Sequence, residues 1–182
     1  MARLIVLLRG VNLGGRNRVA MPQLREALEE SGFEDVSTYV QSGNVVLSSK
    51  SLTTGVGAEV ERLLAKRFDL DIRVVVRTRA QLAAVVKRNP FGKVAKNPKL
   101  YQVTFLEKAP PAEVMRKLEA AASGKEQVAH IGRELYAWHP DGVGRSKLAA
   151  LMSGKGLGVT ATARNWTTVT RLLEMADEPS TG

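Results

Sequence analysis

Five arginines and no carboxylate fall within residues 1–25, and Arg9, Arg16 and Arg18 share one short stretch with Asn12, Asn17, Gly14 and Gly15. Guanidinium and side-chain amide groups are donors that grip phosphate or carboxylate oxygens, so the chemistry of this stretch is anion recognition. A second polar segment, Gln41-Ser42-Gly43-Asn44, and the pair Arg164-Asn165 extend the same donor-rich type. These thirteen residues form the candidate ligand-binding set. No catalytic residue can be named among them.

Other chemistries find weaker footing. Gly10, Gly14 and Gly15 do not make G-x-G-x-x-G, and Gly154-Lys155 is followed by Gly156 with no glycine at position 149, so neither dinucleotide nor P-loop binding is expected. His130 and His139, the only histidines, stand nine apart without zinc-site spacing, and the chain has no cysteine. No metal or cofactor is therefore expected. Ser42 lies at a hairpin tip rather than in a G-x-S-x-G elbow, and a turn role suits it better than nucleophilic attack. Asn165-Trp166-Thr167 matches a glycosylation triplet, but Asn165 reads more simply as a helix cap. The segment Asn44–Ser48 lacks the aromatic residues with which RNA-recognition sheets stack bases.

The chain has 182 residues, 44% of them hydrophobic, enough to bury one large core or two small ones. Its net charge of +9 is segregated: residues 1–25, 72–106 and 142–173 hold 18 of the 27 basic residues and no acid. Such segregation can focus a positive potential on phosphate-bearing partners, although a solvated basic surface would look the same. No apolar run is long enough to span a bilayer, and the first one stops at Arg9. With no cysteine, a cytoplasmic protein with no membrane partner is expected.

The elements that must position these residues follow from hydrophobic periodicity. Leu4–Leu8 is an apolar run that reads as a strand buried on both faces, and thirteen residues separate it from a helix opening at Pro22. A helix to Ser31, a hairpin of Val36–Gln41 and Asn44–Ser48 about a Ser42-Gly43 turn, a capping segment at Ser51–Thr54, a helix over Val56–Phe68 and a strand Ile72–Arg77 follow. The order restarts after a helix Arg79–Lys87: strand Leu100–Leu106, helix from Pro110-Pro111 to Ala122, strands 126–131 and Glu134–Trp138, helix Ser146–Met152, strand Leu157–Ala163. A last helix spans Trp166–Ala176, and a flexible tail is expected beyond it. The class implied is α+β: two ferredoxin-like βαββαβ units, a structural duplication over residues 1–78 and 79–182, with an extra C-terminal helix.

In such a unit the exit of the first strand and the hairpin between the second and third lie on one edge. Arg9–Arg18 and Gln41–Asn44 should therefore be neighbours, with Arg164 and Asn165 closing the cleft from the second half.

Four motifs also resemble a known family. Leu8-Arg-Gly-Val-Asn-Leu-Gly-Gly15, Thr38-Tyr-Val-Gln-Ser-Gly-Asn44, Asn89-Pro-Phe91 and Thr162-Ala-Arg-Asn-Trp-Thr-Thr168 are similar to signatures of the bacterial family of unknown function DUF1697. The resemblance implies the duplicated ferredoxin-like architecture and brings no activity with it. Three functions stay open: a binder of nucleic acid or a nucleotide through the basic loop, an enzyme acting on a phosphorylated or carboxylated small molecule, or a structural or interaction protein whose arginines serve the fold.

Overall fold

The computed structural model describes residues 1–153 and 155–178. Gly154 of the glycine-rich turn and the Pro179–Gly182 part of the expected flexible tail lie outside the described residues. The chain divides into two compact units, Met1–Ala84 with the C-terminal segment from Arg171, and Val85–Thr170.

In the first unit, β1 (Ala2–Leu8) is flanked by β3 (Asn44–Ser49) and β4 (Val74–Thr78), and β2 (Glu34–Tyr39) pairs with β3 at the edge. All of these pairings are antiparallel. Leu4, Val6 and Leu8 project to one face and pack with helices α1 (Met21–Glu30) and α2 (Thr53–Phe68) through Leu24, Leu28, Val56, Val60 and Leu64. Ile5 and Leu7, pointing the other way, are also fully buried, as a five-residue apolar run requires.

The second unit repeats the layout with β5 (Tyr101–Leu106), α4 (Ala112–Ala121), β6 (Gln127–Ile131), β7 (Glu134–Trp138), α5 (Lys147–Ser153) and β8 (Ala161–Asn165). Its sheet order, β6-β7-β5-β8, matches β2-β3-β1-β4 position for position. Helix α3 (Arg79–Arg88) precedes this repeat and α6 (Trp166–Asp177) follows it. The fold is thus α+β, a duplicated βαββαβ arrangement with a C-terminal helix.

The duplication reaches individual bonds. Leu8 N donates to Gly43 O at 2.8 Å and Leu106 N to Arg133 O at 2.9 Å; Arg9 N reaches Arg73 O at 3.0 Å and Glu107 N reaches Thr160 O at 2.9 Å. On the last strand of each unit a buried arginine, Arg77 or Arg164, turns its Nη1 back onto the carbonyl of the preceding residue. Residue identities differ between halves, so spacing alone does not display this repeat.

Three boundaries depart from expectation. The β2–β3 hairpin closes at Tyr39↔Asn44 rather than at a two-residue turn, because Val40 takes φ +49° and ends the strand. The Ser51–Thr54 segment supplies no side-chain cap to α2, whose N-cap is Leu52. Leu157 sits in a short 3-10 turn and packs into the core with Leu106 and Leu148, and Gly158 at φ +66° delays β8 to Ala161.

Candidate functional site

The stretch from Arg9 to Arg18 folds into a loop whose shape is held by its two asparagines. Asn12 and Asn17 adopt φ +53° and +48°, a left-handed conformation that asparagine tolerates better than most residues. The Asn12 amide accepts from Val19 N through Oδ1 (2.9 Å), while its Nδ2 donates to Val19 O (2.9 Å) and Gln41 O (2.6 Å). Asn17 Nδ2 donates to Gly10 O at 3.0 Å, and Asn12 N donates to Asn17 O at 3.1 Å. Loop and hairpin are therefore tied together at Gln41, on the sheet edge where β1 leaves and β3 begins.

Gly43 permits this approach. A Cβ there would lie 2.6 Å from Val11 Cγ2 and 2.7 Å from Leu8 Cβ, and its φ of +78° is one that side chains rarely adopt. Asn44, fully buried, donates from Nδ2 to Tyr39 O across the hairpin at 3.1 Å.

With Asn12, Asn17 and Asn44 engaged in backbone contacts, the charged side chains remain. Arg16 and Arg18 are exposed and Arg9 is half-buried, and their guanidinium groups form no hydrogen bond or ion pair among the described residues. Arg18 lies across the turn, its Nη2 being 3.6 Å from the place a Gly15 Cβ would occupy. Gly14, Gly15, Gln41 and Ser42 are exposed beside them.

Arg164 and Asn165 belong to the second unit and are engaged within it. Arg164 Nη1 donates to Thr162 Oγ1 (2.7 Å) and Ala163 O (2.8 Å), and burial pushes its pKa down to about 10. Asn165 Oδ1 accepts from Thr168 N at 2.9 Å, the N-cap contact of α6. Trp166, next in sequence, stacks on Tyr101 with ring centroids 4.8 Å apart and planes at 14°. Asn89 and Phe91 of the third motif meet the same tyrosine: Tyr101 Oη donates to Asn89 Oδ1 at 2.9 Å, and the Phe91 ring lies 6.0 Å away.

One polar cluster went unseen in the sequence. Glu126, His139 and Ser146, spread over twenty residues, converge so that Glu126 Oε2 lies 2.6 Å from His139 Nδ1 and 2.5 Å from Ser146 Oγ. Burial raises the Glu126 pKa, but hydrogen bonds from Ser146, His139 and Ser123 outweigh that effect and leave it below the ordinary carboxyl value. A hydrolase would place the serine at the far ring nitrogen of the histidine. Here Ser146 Oγ sits beside Nδ1, donates to the carboxylate and accepts Ala149 N at 3.0 Å, which is the geometry of a helix cap. No group of three or more metal-ligating side chains occurs among the described residues.

The family model for proteins of unknown function, DUF1697, matches residues 1–136, three quarters of the chain. The chain belongs to the DUF1697 family. Among solved structures, a conserved bacterial protein of Streptococcus pneumoniae superposes with a TM-score of 0.79, covering 96% of this chain and 98% of its own at 20% identity. At that identity the likeness establishes the fold alone. No curated protein matches. Membership of DUF1697 thus agrees with the duplicated architecture and assigns no reaction. No helix among the described residues is long and apolar enough to cross a membrane.

Proposed function

We propose that this DUF1697 protein binds a phosphate-bearing ligand, a nucleic acid or a nucleotide, through the basic loop that follows β1, in a cytoplasmic setting. One observation carries the reading: the Arg9, Arg16 and Arg18 side chains have no intramolecular partner among the described residues, on a loop whose asparagine amides brace its backbone. The backbone of this loop is already braced by hydrogen bonds, so ligand binding need order only the three arginine side chains, and charge-assisted contacts to an anion offset that cost. Gln41 and Ser42 flank the loop and complete the surface. An enzymatic reading gains no comparable support, because Ser146 and His139 are turned toward Glu126.

A thermal-shift series with inorganic phosphate, nucleotides and short oligonucleotides, run at low and moderate salt, tests this. At a hundredfold excess over Kd a ligand should stabilise the fold by about 2.7 kcal/mol. The shift should vanish in Arg9→Ala/Arg16→Ala/Arg18→Ala. A shift that survives in the triple variant, or no shift with any of these compounds, overturns the proposal.

A further inference from the structure

The shape of the loop narrows what it can hold. A small ligand needs a concave site that encloses most of its surface. A Cβ placed at Gly10 or Gly14 would meet nothing within 4 Å, and every residue from Leu13 to Arg18 is exposed. Two cavities of the first unit, about 610 and 220 Å³, open near Met1 and Lys50 at the other end of the sheet, away from the loop. Arg16 and Arg18 therefore stand on an outward-facing turn, with half-buried Arg9 at its base, an arrangement that suits an extended polyanion better than a mononucleotide.

The side chains between the charges select further. The loop has no aromatic residue between Arg9 and Arg18, so it lacks the platform on which unpaired bases stack in single-strand binders. It does present Leu13, 62% exposed, one turn from Arg16, and Asn12 joins it to a hairpin carrying Val40, 50% exposed. Apolar side chains flanked by arginines are what groove-binding proteins set against a duplex, with the cations on the phosphates and the apolar tip against the base steps.

Resting on the proposed phosphate-binding role of this loop, we infer that its ligand is a nucleic-acid duplex bound through the backbone without sequence preference. Arg9, Arg16 and Arg18 contact phosphates, and Leu13 enters the groove between them. DNA and RNA duplexes share this backbone chemistry and differ in groove width, so both serve as probes.

Fluorescence anisotropy with labelled 24-base-pair DNA and RNA duplexes, the corresponding single strand, and ATP as competitor, at four salt concentrations, decides the matter. Three phosphate contacts give an expected slope of log Kobs against log salt of about −2.7, and Arg16→Ala/Arg18→Ala should reduce its magnitude by about 2. Leu13→Ser should weaken duplex binding roughly tenfold and leave the slope unchanged. ATP or phosphate binding that is lost in the arginine variants, with no gain for any oligonucleotide, would overturn the duplex and leave the phosphate-binding role standing. Tighter binding of the single strand would overturn it too. Failure of every probe to bind would remove both.

Discussion

Asn12 does more for the candidate site than any charged residue, and it does so without offering a free donor. Its amide closes three hydrogen bonds, one of them to the hairpin, from a left-handed backbone that few other residues accept. Asn12→Ala would leave two carbonyls and an amide of the backbone without these partners and place alanine at positive φ. The expected loss is about 2–3 kcal/mol, read as a lower midpoint in urea unfolding at unchanged slope. A variant within about 0.5 kcal/mol of wild type, the range of an ordinary surface substitution, would show that the loop is held by other contacts. Sequence reading placed Asn12 with the arginines as a donor to ligand, since residue type alone does not distinguish an amide that binds from one that braces.

At the level of elements, two of the four sequence motifs act as joints. Asn89-Pro-Phe91 leaves α3 and Trp166 opens α6, and both meet Tyr101 on β5. Burial raises the Tyr101 phenol to about 12, so its hydroxyl remains a proton donor to Asn89 at any physiological pH. Tyr101→Phe keeps the ring stack and deletes both the bond to Asn89 and the one the hydroxyl accepts from the Phe91 backbone. It should cost about 1–2 kcal/mol, measured by chemical unfolding, because Asn89 Oδ1 loses its donor. An unchanged stability would mean that the stacked rings alone fix the joint. The strands and helices themselves were legible from apolar alternation and from proline and glycine punctuation, whereas their closures depended on contacts between distant residues. Val40 ends β2 with a positive φ that no rule of composition assigns to valine.

For the whole molecule, acid stability provides a test of the second unit. The folded Glu126 carboxyl lies below its ordinary pKa of 4.5, so between that value and the folded one the unfolded chain binds more protons and stability rises with pH. Its contribution is complete above about pH 4.5 and is lost as pH falls through the folded value. Glu126→Gln should therefore be less stable than wild type at pH 7, by about 1.5–3 kcal/mol for hydrogen bonds to a charged group. Urea unfolding should show that gap shrinking below pH 4.5. A gap independent of pH would indicate that the carboxylate's charge has no part in holding His139 and Ser146.

The amino-acid order by itself determined the class of fold, the element sequence of both units, the family and the position of the basic loop, because each is carried by local periodicity, turn chemistry or a contiguous motif. That the loop meets Gln41 followed from the expected topology, whereas the bracing role of the Asn12 amide there, the space that makes Gly43 necessary and the meeting of Glu126, His139 and Ser146 were decided only by tertiary structure. Each joins residues separated by many positions, and such a pairing depends on strand register and chain reversal, which no short window of sequence contains. The same cause explains why three arginines in one loop could be found by reading along the chain, while their freedom from partners emerged only when every neighbouring side chain was in place.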